Sequence, residues 1–435
     1  MLFLYNVLLP FVLLISFPFY LRRMLKRGGY ARNFPQRFGF FSSRLRRRFK
    51  EGGWTWIRAV SVGEMMMALR LIRELKRQDP TFKAIISTTT STGYALGRQR
   101  TFELPWIEVI YSPIDLYPIV NSIWQRVRPN SAILIDSDLW PSFLAISAKQ
   151  GTKVFLANAR LSPRSEKRFQ KTKFLARIFF WNHIDTLFAQ DQVDAGRWAK
   201  MGVPSERIRT IGSMKYDIDE TVSEFQFSDW LRKHGLTGGN KILLGGSLHP
   251  GEEKLLIDCY RAVKEQIPEL FLILVPRHAE RTPEIEELLR AENLTYALRS
   301  DPKFGSSTSV LIVNSTGELR DWYRSADVVI IGKSFTGVGG QNPVEPIAAH
   351  KPVIVGPHME NFGYLTEELR RMGGIMQLES GADLPVAVSK LLSDPVAASN
   401  LVAGADQALA PHFGSIKRTA AFILGNHEVT ADSAD

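Results

Sequence analysis

Acidic side chains are missing from residues 1–50, and the first 21 residues carry no charged side chain at all. Over the 435-residue chain Lys and Arg outnumber Asp and Glu, 55 to 44, and residues 1–50 supply that whole excess of 11. The remainder is formally neutral. That excludes a chain-wide nucleic-acid-binding surface, because phosphate neutralisation needs a basic face on the folded domain itself. Cysteine is nearly absent: Cys259 stands alone, which excludes a disulfide framework and a Cys-based zinc cluster and places the bulk of the chain in a reducing cytoplasm. No H-E-x-x-H, P-loop or G-x-S-x-G run occurs and the histidines do not cluster, so proteases, P-loop kinases and α/β-hydrolases lose their main sequence support.

What is present begins with an apolar segment, residues 1–21, rich in Leu, Phe, Val and Ile and interrupted by Pro10 and Pro18. As a helix it matches about one bilayer core. A signal peptide carries its cations before the apolar run, whereas here they follow it, so the segment reads as an uncleaved anchor with its basic flank on the cytoplasmic side. A buried first helix is the competing reading. Residues 22–50 then form a basic interfacial segment in which Phe34, Phe38, Phe40 and Phe41 are interleaved with cations that anionic lipid attracts.

An apolar fraction of 45% and this length predict two or three domains. Residues 51–217 alternate apolar runs (54–61, 84–88, 106–111, 132–135, 153–157, 186–189) with helical patterns, such as 64–77 with Met65, Ala68, Leu69, Ile72 and Leu75 on one face. The pattern lapses over a polar linker, 218–239, and restarts in 240–410 with runs at 241–246, 271–275, 310–313, 328–331 and 352–355. A helical stretch spans 384–424, with 411–435 as a C-terminal helix and polar tail. The predicted class is α/β: two doubly wound, Rossmann-like domains with a ligand cleft between the C-terminal ends of their strands.

Polar clusters fall just after the predicted strands, where such a fold presents function. Ser61-Val62-Gly63-Glu64 puts Glu64 at a helix start, either facing the cleft or complementing the helix dipole. Asp136-Ser137-Asp138-Leu139-Trp140-Pro141 offers paired carboxylates for a metal, a hydroxyl or a helix start. Asn158-Ala159-Arg160 and Gly212-Ser213-Met214-Lys215-Tyr216-Asp217 offer Arg160 and Lys215 as anion partners or as surface ion pairs. Gly245-Gly246-Ser247-Leu248-His249-Pro250-Gly251-Glu252-Glu253 reads as a glycine turn, open to a ligand, that leads into a helix N-terminus suited to an anion. Pro276-Arg277-His278-Ala279-Glu280-Arg281 adds two guanidiniums and an imidazole, which a phosphate partner explains better than packing does. Gly339-Gly340-Gln341-Asn342-Pro343-Val344-Glu345 lacks the placement of the dinucleotide fingerprint and reads as a nucleotide-sugar site with Glu345 on ribose hydroxyls.

In this order, S-V-G-E, D-x-D-L-W-P, N-A-R-L-S-x-R-S, G-S-x-K-Y-D, S-x-H-x-G-E-E, P-R-H-x-E-R and G-G-x-N-x-x-E-P behind an apolar anchor resemble the Kdo transferase family, over residues 1–425. The resemblance implies a GT-B fold with acceptor bound by the N-terminal domain (51–217) and nucleotide sugar by the C-terminal domain (240–410). It implies an inverting transfer of 3-deoxy-D-manno-octulosonic acid (Kdo) from CMP-Kdo to a lipid A precursor (lipid IVA) at the inner membrane, cytoplasmic side. Glu64 would be the general base. Ser247, His249, Arg277, His278, Asn342, Glu345 and Lys215 would bind the donor, and Asp136, Asp138 and Arg160 would form an acceptor or secondary site. No metal and no cofactor is expected; the partners are CMP-Kdo, the lipid A precursor and anionic lipids, without nucleic acid. The sequence departs from the family pattern at Asp136 and Asp138, which replace glutamates, at Gln341 for histidine and at Lys333 for glycine, where it adds a cation near the donor. Alternatives are another membrane-associated GT-B transferase or epimerase, and a non-catalytic nucleotide-sugar-binding protein.

Overall fold

The computed structural model describes all residues except 29–32, 137, 162, 219–226, 237–238, 306 and 426–435. Arg32 of the basic segment, Ser137 and Ser162 of two motifs, much of the expected linker and the polar tail therefore lie outside the described residues. The chain forms two compact units, Met1–Asp217 with Pro411–Asp435, and Ile218–Ala410.

The first unit is built on seven strands: β1 (Trp54–Arg58), β2 (Lys83–Thr88), β3 (Ile107–Tyr111), β4 (Ser131–Ile135), β5 (Lys153–Ala159), β6 (Thr186–Ala189) and β7 (Ile208–Thr210). Their order is β3-β2-β1-β4-β5-β6-β7, with parallel pairings throughout. β1 is buried at every position, as expected of a central parallel strand covered on both faces. One face packs Trp54 and Trp56 with Trp124 and Phe143, and the Trp56 indole donates to Ser87 Oγ at 2.9 Å. The other face packs Ile57 against Met65, Leu69, Ile72 and Leu75. Each such side chain contributes roughly 1.5–3 kcal/mol on burial.

The helices α1 (Leu2–Arg27), α2 (Ser43–Lys50) and α3 (Val62–Gln78) belong to this unit. The basic segment is less of a free collar than its composition predicts. Phe41, Leu45 and Phe49 are buried in the first core, and the buried carboxylate of Glu108 holds Arg44 at 3.0 Å and Arg48 at 3.1 Å. Arg46, Arg47 and Lys50 remain exposed.

The chain end also returns to this unit instead of standing apart. The helix Ser415–Leu424 packs on α3, and Asp217 caps its start, accepting from Gly414 N at 2.9 Å and Ile416 N at 2.7 Å. A Cβ on Gly212 would lie 2.2 Å from Pro411 O, and Ser213 N donates to His412 Nδ1 at 3.0 Å. Much of the Gly212–Asp217 motif thus serves to fasten the C-terminal segment.

The second unit has β8 (Lys241–Leu248), β9 (Leu270–Pro276), β10 (Tyr296–Leu298), β11 (Val310–Ile312), β12 (Val328–Ile331), β13 (Val353–Val355) and β14 (Met376–Gln377), ordered β10-β11-β9-β8-β12-β13-β14. Strands β7, β10 and β14 were not predicted: each spans only two or three residues, too short for an apolar run to show. In both units the first strand lies between two others, with the chain running out to one edge and then crossing to the opposite side. This is the switch point of a doubly wound sheet.

Candidate functional site

In the first unit four loops gather beyond the strand ends. Ser61 caps α3 by accepting from Glu64 N at 3.2 Å, and the Glu64 carboxylate folds back to accept from Val60 N at 2.7 Å and Ser61 Oγ at 3.0 Å. This resembles a capping box, with the N–H of Val60, one residue before the cap, taking the place of the cap's own, so Glu64 does hold the helix start as the dipole reading anticipated. Its electrostatics say more. Burial pushes the carboxyl above the usual carboxylate range; the Val60 N–H opposes this, and the charges of Asp136 and Asp138 add to it.

Asp136 and Asn158 both adopt left-handed backbone, φ 60° and 58°, a conformation that Asn and Asp tolerate better than most residues. Asn158, fully buried, donates to Asp136 Oδ1 at 2.5 Å, and its Oδ1 accepts from Met214 N at 2.9 Å and Ser213 Oγ at 3.2 Å. One amide therefore ties the β4, β5 and β7 loops together. Burial raises the Asp136 carboxyl, opposed by Asn158 and by the charges of Lys215 and Arg160. Lys215 is itself held below the usual ammonium range by desolvation and by Arg160, with Asp136 opposing. Lys215, expected at the donor, is thus grouped by the fold with Asp136 and Arg160. Asp138 is committed elsewhere: its carboxylate pairs with buried Arg58 at 2.8 Å and accepts from Trp140 Nε1 at 2.5 Å.

In the second unit the loops after β8, β9 and β12 come together. Glu252, fully buried in the first turn of the helix Glu252–Lys264, accepts from His249 N at 2.9 Å, Lys333 N at 2.7 Å, Ser334 N at 3.0 Å and Phe335 N at 3.1 Å. One carboxylate holds two loops in register. His249 meets the Gln341 amide at 3.1 Å, and its ring lies 6.4 Å from that of His278. Desolvation holds the His249 imidazole below its ordinary range; Glu252 opposes this, and Lys333, His278 and Arg277 reinforce it. Burial raises the Glu345 carboxyl, against the charge of Arg320, a hydrogen bond from Asn342 and the charge of Arg277. Ser247 and Lys333 have φ 55° and 57°.

Two expectations are revised here. The glycines before Ser247 answer to packing: a Cβ on Gly245 would meet Leu256 at 2.1 Å, and one on Gly246 would meet Tyr323 Oη at 2.4 Å. Of the two guanidiniums after β9, Arg281 is taken by buried Glu253 at 2.5 Å, which leaves Arg277 and His278, both exposed, as the groups open to an anion. Sequence reasoning also missed Glu252, Asn158 and Arg58 as organising residues. Glu252 and Asn158 stood in quoted motifs, but an acid in a first helical turn and a lone amide carry no mark of burial. Among the described residues no three His, Cys, Asp or Glu side chains converge as a metal set.

Comparison with known proteins adds identity to this geometry. Residues 32–218 match the family described as 3-deoxy-D-manno-octulosonic-acid transferase (kdotransferase). The chain is 30% identical over 396 residues, 91% of each chain, to a 3-deoxy-D-manno-octulosonic acid transferase of Haemophilus influenzae. Among solved structures it resembles a UDP-GlcNAc 2-epimerase from Neisseria meningitidis bound to UDP-GlcNAc, at 11% identity and TM-score 0.55, covering 86% of this chain and 99% of that one. It also resembles the glycotransferase of kitacinnamycin, at 15% identity and TM-score 0.52, over 86% and 99% of the two chains. These two likenesses show the GT-B fold.

Proposed function

We propose that this chain, which belongs to the 3-deoxy-D-manno-octulosonic acid transferase family, transfers Kdo from CMP-Kdo to a lipid A precursor with inversion at the anomeric carbon. By family it is a glycosyltransferase of lipopolysaccharide biosynthesis. The observation that carries the finer reading is the state of Glu64: a carboxylate oriented by Val60 N and Ser61 Oγ and made more basic by burial and by neighbouring acids. Such a group is suited to accept a proton.

In the proposed step Glu64 takes the proton of the acceptor hydroxyl while the hydroxyl oxygen bonds to the Kdo anomeric carbon. The bond from that carbon to the phosphate oxygen breaks, and CMP leaves with the electron pair. Ser247, His249, Asn342 and Glu345 would hold the nucleotide and sugar. Arg277 and His278, joined by the Lys333 cation that this chain carries in place of the family glycine, would stabilise the charge on the departing phosphate. Asp136, Arg160 and Lys215 would meet the acceptor side. The apolar helix α1 fits a membrane anchor, and we place the enzyme at the inner membrane with its domains in the cytoplasm, where a lipid acceptor is reached.

The test is release of CMP from CMP-Kdo in the presence of tetraacylated lipid A precursor, with product mass as the second readout. Turnover with transfer of Kdo is expected. Absence of turnover together with activity on a UDP-sugar would overturn the proposal.

A further inference from the structure

The apolar stretch Leu2–Arg22, 21 residues with mean hydropathy 2.1 and none of its apolar window buried, is long enough to cross a bilayer. Its contacts point another way. Tyr5 Oη donates to Asp115 Oδ2 at 3.0 Å, Asn6 Nδ2 donates to Ser142 Oγ at 3.2 Å, and Asn6 Oδ1 accepts from Tyr117 N at 2.6 Å. The Tyr5 ring packs 6.3 Å from that of Phe179. Asp115 is no loose surface group: it is buried and also receives Ser142 N at 2.8 Å and Phe143 N at 2.9 Å. The first turns of α1 are therefore fastened to the globular first unit.

The other end of α1 leads into the same unit. Gln36 is buried and accepts from Tyr111 N at 3.0 Å, and the Arg37 guanidinium bonds to Thr89 O. A helix spanning the hydrocarbon core would separate its ends by about 30 Å of lipid and carry Tyr5 and Asn6 to the face opposite the body. Both ends cannot touch one globular unit in that geometry.

We infer that α1 does not cross the membrane but lies against a single leaflet, pinned at its first turns by the Tyr5–Asp115 and Asn6–Tyr117 contacts. Its occupant is an anionic bilayer surface. Phe3, Leu14, Ile15 and Phe19 are 68–81% exposed, large apolar side chains whose transfer out of water into the acyl region is favourable. The helix Lys173–Phe179, which supplies Phe179 to Tyr5, repeats the chemistry beside it: Phe174 is 75% exposed, and Lys171, Lys173 and Arg177 are exposed around it. The cations on this helix and on α2 complement anionic lipid without belonging to the transfer chemistry.

The experiment is a sidedness assay on the full chain in a bacterial membrane, independent of any sugar donor. One variant carries a short Gly-Ser extension with a single cysteine ahead of Met1; a second is Val396→Cys, on an exposed residue of the second unit. Native Cys259 is buried and serves as the unreactive background. A membrane-impermeant maleimide is applied to intact spheroplasts, to inverted vesicles and, as reference, in detergent. Both cysteines are expected to react in inverted vesicles and to be spared in spheroplasts. Reaction of the N-terminal cysteine in spheroplasts while Val396→Cys is spared overturns the inference. Reaction of both in spheroplasts leaves the single-leaflet geometry standing and removes instead the proposed cytoplasmic placement.

Discussion

The two units carry the same doubly wound sheet but finish their strand ends with opposite chemistry. In the first, carboxylates accumulate: burial, with the charges of Asp136 and Asp138 adding to it, raises the Glu64 carboxyl, burial raises that of Asp136, and a neutral amide, Asn158, joins the loops. In the second, the buried carboxylates are spent, Glu252 on four backbone N–H groups and Glu253 on Arg281, and the side chains left facing outward or half-exposed are Arg277, His278, His249 and Lys333. In the proposed reaction the first set accepts a proton and the second an anion. The difference lies in what the acid is bonded to: half-buried Glu64 is held by one backbone N–H and one hydroxyl, whereas Glu252 is a ligand for four backbone N–H groups.

The largest break in that contrast should come from Glu64→Gln. Its oxygen can still accept from Val60 N while its NH2 faces Ser61 Oγ, and Ser61 still accepts from the residue 64 N–H, so the helix start is kept, but the base is gone. Turnover is expected to fall about 10²–10⁴-fold, the usual contribution of a general base, while CMP binding measured by calorimetry is unchanged. Full activity would return Glu64 to a capping role alone.

Glu252→Ala comes next and should act on the other side. It strands the N–H groups of His249, Lys333, Ser334 and Phe335, each buried group costing about 1–3 kcal/mol when left unpaired. The donor KM should rise by at least about tenfold, the equivalent of 1.4 kcal/mol, with a lowered Tm and an unchanged acceptor KM. Glu252→Gln, which retains an acceptor for Ser334 and Phe335, should fall between. Equal rises in both KM values would mean that Glu252 supports general stability and does not specifically position the donor loops.

The same contrast marks how far the sequence could be read. Strand-end clusters were legible because β1, β4, β8 and β9 are buried on both faces and so stand out as continuous apolar runs, which locates every loop that follows them. Glu64 and Lys333 were singled out from motif and from departure. What escaped was burial within the motifs. Glu253 looks as solvent-facing as any acid in a first helical turn, yet it neutralises Arg281 and removes one of two expected phosphate ligands. Asp138 looks equivalent to Asp136 and is locked to Arg58, a residue 80 positions earlier. The folding back of residues 411–424 onto α3 was likewise invisible, because its anchors, Asp217 and Ser213, belong to a motif that reads as a binding loop. Long-range polar pairing leaves no periodicity to detect.

The smallest effect separates the charge of Asp136 from its geometry. Asn at 136 tolerates φ near 60° and still offers an oxygen to Asn158, so Asp136→Asn removes little but the negative charge. Glu64 must be ionised to accept a proton, and its pKa lies above the ordinary carboxylate value because of burial first and Asp136 afterwards. Activity is therefore lost as pH falls through that raised pKa. Removing the Asp136 charge makes ionisation of Glu64 easier, so the acidic limb of the kcat profile should move to lower pH. The move should be only part of the whole displacement, since burial remains. An unmoved limb would show that Asp136 does not tune the base, and a limb moved upward would show that the loop itself had shifted.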